Sequence, residues 1–134
     1  MGIEEKILGR VANYSFAYDV RKPFMESFRP PHITTKKWLV HEITKYTQGS
    51  FNKVAVLGSW NSVLLKELLE SVRNVEHWDF YDLDWGVHRD RDMYHECNGL
   101  DKNYTYFQED ATKLFAYEDV HKQYDLIINP SCEH

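Results

Sequence analysis

A chain of 134 residues and 16.0 kDa carries enough sequence for one domain with a single hydrophobic core, and too little for two of ordinary size. Hydrophobic residues make up 43% of it, a globular proportion, and no apolar run approaches the roughly 20 residues of a membrane span. The net charge of −5 argues against a strong basic footprint for nucleic acid, and two cysteines are too few for a disulfide framework.

The opening residues MGIEEKILGR are acidic and amphipathic, without the basic-then-apolar pattern of a secretory signal, so the expected compartment is the cytoplasm. Ile3, Ile7, Leu8, Val11 and Tyr14 fall on one stripe of a helix over residues 3–17. The stretch RKPFMESFRPPH reads as an irregular connector in which Pro30 and Pro31 hold the backbone extended. Its basic residues Arg21, Lys22 and Arg29, with Lys36 and Lys37 beyond, read as a solvated loop and helix face. Thr34 or Thr35 is expected to cap a helix running to about Thr47, with Trp38, Leu39, Ile43 and Tyr46 toward a core and Gly49 at its end. Residues 1–50 thus form an N-terminal helical extension.

From Lys53 the pattern changes to short apolar runs alternating with helical ones. Strands are expected at 54–58, 77–84, 104–110 and 124–130, with helices at 62–71 and 86–96 and a short helical turn around ATKLFAYED. Asn98-Gly99 is expected to end the second of these helices. Such alternation implies βαβ units, because parallel neighbours need a crossover and a helix supplies it. The expected fold is a single α/β domain: a three-layer, mostly parallel Rossmann-like sheet of about four strands over residues 53–134, preceded by the helices.

In such sheets ligands sit beyond the carboxyl ends of the strands, near the point where strand order reverses. At the first end, Gly58 permits a sharp turn, and the loop to Ser62, including Ser59 and Trp60, leads into a helix start where backbone N–H groups can face a ligand. At the second, Asp82 occupies the place from which a carboxylate accepts hydrogen bonds from ribose hydroxyls; the alternative is that Asp82 and Asp84 cap the turn into the next helix. At the third, Asp110 could offer a carboxylate to an adenine amino group while Ala111 leaves room for the ring. Asn129 and Pro130 close the fourth.

This order of features resembles the class I S-adenosylmethionine-dependent methyltransferases, over about Lys53 to His134. VAVLGSWNS is similar to their glycine-rich first motif, YDLD to the acidic end of their second strand, FQEDATKL to the adenine-side motif, and DLIINPSC to the fourth-strand motif. The tryptophan-bearing loop and the ending INPSCEH also resemble small methyltransferase-like proteins encoded by tailed phages. The resemblance implies S-adenosylmethionine as cofactor, with Gly58, Ser59, Trp60 and Ser62 toward its methionine part, Asp82 toward ribose, Asp110 and Ala111 toward adenine, and Asn129 and Pro130 beside the transferring methyl. Asn129-Pro130 looks like the Asn/Asp-Pro-Pro-aromatic motif of amino-methylating members, although Ser131 and Cys132 replace its second proline and its aromatic.

Other departures bear on activity. Val56 stands where the family usually has an acidic residue, and Trp60 and Ser62 stand where it has further glycines. The indole could obstruct the cofactor tail or lie over its sulfonium. The chain stops directly after the fourth expected strand, as a minimal protein completing its site by self-association, a fragment, or a fold kept without transferase activity. Exposed sheet edges favour a homo-oligomer. The expected function is a methyltransferase of unassigned acceptor; the alternative is a non-catalytic module of the same fold that binds the cofactor or a protein partner.

His88, Asp92 and His95 share one helical face, but without a CxxC or HxxxH pair a solvated face explains them more economically than a metal. Most of the aromatic residues, Trp38, Trp78 and Phe80 among them, read as packing groups.

Overall fold

The computed structural model describes residues 2–110 and 122–130. Three helices come first: α1 (Ile3–Ala17), α2 (Lys22–Glu26) and α3 (Pro30–Tyr46). An α/β core follows, with β1 (Phe51–Leu57), α4 (Val63–Glu70), β2 (Val75–Tyr81), α5 (Trp85–Cys97), β3 (Tyr104–Phe107) and β4 (Leu126–Ile128). The strands form one parallel sheet in the order β3-β2-β1-β4, which matches the first part of the Rossmann strand order. Among the described residues no helix is long and apolar enough to cross a membrane.

Period-two alternation divides the sheet between two clusters. Val54 and Val56 of β1 and Trp78 and Phe80 of β2 join the main core with Leu65 and Leu69 of α4. Ala55 and Tyr81 belong to a smaller cluster with Leu57, Phe107 and Tyr124. Each large apolar side chain fully buried this way stabilises the fold by about 1.5–3 kcal/mol. Val56 is therefore a core residue, packed where a carboxylate would be costly. Helix α4 is flanked by α1 and α3, which explains why every one of its residues from Val63 to Leu69 is buried. Its polar members are satisfied: Lys66 pairs with Glu70 at 2.8 Å, while Glu67 accepts from Arg10 and, at 2.7 Å, from the Tyr94 hydroxyl.

Several expectations for the N-terminal third are corrected. The connector contains α2, and Pro30 and Pro31 open α3 rather than preceding it in extended backbone; proline suits the first helical turn because no intrahelical partner awaits its missing N–H. Thr34 and Thr35 are inside α3, whose N-cap position is Arg29. The buried stripe of α3 is Ile33, Val40 and Ile43, which leaves Trp38 and Tyr46 exposed. On α1, Leu8 is likewise exposed beside buried Ile7, Val11 and Tyr14. Strand and helix bounds elsewhere shift by a few residues, and Asn98 caps α5 before Gly99, whose φ is 62°. The helical turn expected around residues 111–119, and with it the layer it would add to the second sheet face, lies outside the described residues.

Candidate ligand site at the β1–β4 switch point

The chain leaves β1 toward β2 and β3 and then returns to β4 on the other side of β1, so strand order reverses between β1 and β4. The loop following β1 sits there, and its backbone is unusual. Gly58, Trp60 and Ser62 have φ of 58°, 53° and 54°, all left-handed. Glycine adopts this freely, but each L-residue held there costs roughly 1–2 kcal/mol.

The surrounding side chains hold the loop in that shape. Arg91 of α5 is fully buried beneath it and donates from Nε to the Asn61 carbonyl at 2.7 Å and from Nη2 to the Ser59 hydroxyl and the Trp60 carbonyl. Its guanidinium lies 4.0 Å from the Phe80 ring centroid, a cation–π contact, and burial lowers its pKa to about 10. From the second strand end, Asp82 Oδ2 accepts the Trp60 N–H at 2.9 Å and Oδ1 accepts the Asp84 N–H at 2.9 Å. Asn61 Oδ1 accepts the Val63 N–H, the first of α4, at 3.0 Å, while its Nδ2 donates to Ser27 Oγ at 3.0 Å and ties the loop to the end of α2. The Ser62 hydroxyl closes back onto the Ser59 carbonyl.

A cavity of about 690 Å³ opens over this loop, a volume in the range of small-molecule sites. Gly58 to Ser62, Leu64 and Leu65 line it, with Asp82 and Pro130 contributed by neighbouring strand ends. Pro23, Glu26 and Ser27 of the α2 segment and His32 and Lys36 of α3 complete the lining. Trp60 lines the cavity and is 46% exposed. Of the residues singled out from sequence, Gly58, Ser59, Trp60, Ser62, Asp82 and Pro130 meet here. Asp110 and Asn129 are exposed and do not line the cavity, while Ala111 lies outside the described residues.

The two aspartates after β2 divide their work. Asp84 caps α5 by accepting the Gly86 N–H at 2.8 Å, whereas Asp82 braces the β1 loop. An ionised carboxylate accepts about four hydrogen bonds, so Asp82 retains acceptor capacity toward the cavity. Tyr106 donates to the Asp82 carbonyl at 2.9 Å and fixes the strand end from β3.

Sequence reasoning missed Arg91, Asn61, Glu26, His32 and Lys36. Arg21, read as part of a solvated basic face, instead grips Asp90 from Nη2 at 2.8 Å and Nε at 3.0 Å. Its guanidinium crosses Gly86 so closely that a Cβ there would meet Nη1 at 2.6 Å. His95, read on a solvated face, is fully buried with Nδ1 2.7 Å from the Arg91 carbonyl, and burial lowers its pKa to about 4. Cys132 and His134 lie outside the described residues.

No protein-family model matches the chain, and comparison with curated proteins gives no match. Among solved structures, the chain is similar to a Streptococcus mutans protein assigned as a SAM-dependent methyltransferase, at 20% identity and a TM-score of 0.49, over 67% of this chain and 24% of that one. It is also similar to the ribosomal protein L11 methylase of Lactobacillus delbrueckii subsp. bulgaricus, at 17% identity and a TM-score of 0.48, over 73% of this chain and 46% of that one. The chain thus spans less than half the length of either structure.

Proposed function

We propose that the cavity binds S-adenosylmethionine and that the chain acts as an S-adenosylmethionine-dependent methyltransferase or methyltransferase-like protein. The observation that carries this reading is the braced left-handed loop at the switch point, with Asp82 and the cavity on its ligand side. Strained backbone that is heavily supported by neighbouring groups is a frequent mark of a binding site. The residues present fit such a ligand. Asp82 has acceptor capacity for ribose hydroxyls, the loop turns at Gly58 without a side chain, and Leu64 and Leu65 supply apolar surface. The cofactor, when bound, supplies an electrophilic methyl; this chain's part is to align it with an acceptor, and Pro130 borders the space in which that acceptor would sit.

A second reading is favoured by one observation: both Asp82 oxygens already serve backbone amides. In that reading the carboxylate is purely a brace, and the fold works as a non-catalytic module that contacts a protein. Calorimetric titration with S-adenosylmethionine and S-adenosylhomocysteine separates the two. Micromolar binding, weakened in Asp82→Ala, is the expected result; no heat with either ligand at millimolar concentration would reject the cofactor reading and leave the module.

A further inference from the structure

The helices that flank α4 leave large apolar groups facing outward. Trp38 on α3 is 61% exposed and Leu8 on α1 is 41% exposed. A groove of about 410 Å³ runs between the two helices, away from the switch-point cavity, with Ile3 and Leu8 of α1, Leu68 of α4 and Lys37 of α3 in its lining. Lys37 reaches Glu4 of α1 at 3.2 Å, which holds the two helices side by side there. Trp38 follows Lys37 in the chain, so the exposed indole and the groove belong to adjoining parts of one surface. That surface also carries both signs of charge, set apart. Glu4 and Glu5, in the first turn of α1, line the groove. Trp38, His41 and Lys45 fall at i, i+3 and i+7 on α3, one exposed stripe, and the His41 and Lys45 side chains have no hydrogen-bond or ion-pair partner among the described residues.

We propose that this surface joins two copies of the chain, Trp38 of each seating in the α1–α3 groove of the other, with the acidic first turn of α1 facing the basic stripe of the other copy's α3. A two-fold contact needs a surface that is complementary to itself. This one supplies a knob and a groove, an acidic edge and a basic one. A partner of uniform charge would satisfy one edge and be repelled by the other, whereas a second copy answers both. Seating the indole on Leu8 and Leu68 removes apolar surface from water on both sides, and tryptophan in such a pocket is among the strongest anchors of protein interfaces. The pairing is independent of the cofactor reading, because the groove shares no lining residue with the switch-point cavity.

Sedimentation velocity of the full chain over a concentration series tests it with two variants at exposed positions. Trp38→Ala removes the knob, and Leu8→Lys fills and charges the groove. The wild type is expected to dimerise, and each variant alone to self-associate at least about tenfold more weakly. An equimolar mixture of the two variants is the sharper measurement. The Trp38→Ala copy keeps a groove and the Leu8→Lys copy keeps an indole, so one of the two contacts re-forms and the mixture associates more tightly than either variant by itself. The proposal is overturned if the wild type stays monomeric to millimolar concentration, as it would if this face served a different protein. It is overturned equally if both variants dimerise like the wild type, which would place the contact elsewhere, at a sheet edge for instance. A mixture that associates no better than the separate variants, all with wild-type unfolding midpoints, would also overturn it.

Discussion

The two groups of residues that line the cavity, the loop after β1 and the α2–α3 segment, are held in different ways. On the β1 side, Gly58 to Ser62 are tied down by Arg91, Asp82 and Asn61, so most polar groups of the loop are committed to the protein itself. In the α2–α3 segment, the side chains of His32 and Lys36 have no hydrogen-bond or ion-pair partner among the described residues and Glu26 holds only long ion pairs. The difference is one of commitment: the loop is held in shape by the protein's own hydrogen bonds, whereas the α2–α3 residues that line the cavity are not tied to it in the same way. Substitutions in the brace should therefore lower stability, and at Asp82, which both braces the loop and lines the cavity, they should weaken binding as well.

The largest effect belongs to Arg91. Arg91→Ala removes three loop hydrogen bonds and the stack on Phe80, and should destabilise the fold by about 3–5 kcal/mol in urea unfolding. Asp82→Ala leaves the Trp60 and Asp84 amides without an acceptor and should cost about 1–3 kcal/mol by the same measurement, with Asp82→Asn intermediate. Gly58→Ala places a Cβ at left-handed φ and should cost about 1–2 kcal/mol. Lys36→Met should sharpen the contrast by leaving stability within about 0.5 kcal/mol of wild type, because the Lys36 side chain has no partner among the described residues.

Acid acts beneath the braced loop. His95 has a folded pKa of about 4, below the unfolded value near 6.5, so the unfolded chain binds the proton more readily. Its contribution is fully present above pH about 6.5 and is lost as pH falls through about 4. His88, lowered chiefly by burial, acts in the same direction. His95→Gln should flatten the decline of unfolding free energy across that window, which urea titrations at several pH values would measure.

Legibility followed the range of the interactions. Apolar runs such as VAVL and WDFY announced β1 and β2 because parallel strands buried on both faces need little but such runs. Gly58 and Asp82 were legible through their positions at strand ends. Arg91 was not, because its role depends on a contact about 30 residues back that no local pattern encodes. Nor was the exposure of Trp38: hydrophobicity alone places tryptophan inside, whereas the phase set by Ile33, Val40 and Ile43 turns it outward. Pro30 misled by the opposite route, since the residue that bars a helix interior is welcome in its first turn.

The most direct test of the cavity as a cofactor site is amide chemical-shift mapping of the labelled chain with S-adenosylhomocysteine. Perturbations are expected at Gly58 to Ser62, at Asp82 and along His32 to Lys36, with residues around the groove lined by Gly2, Glu5 and Leu68 unchanged. Perturbations confined to that groove, or none at millimolar ligand, would contradict it.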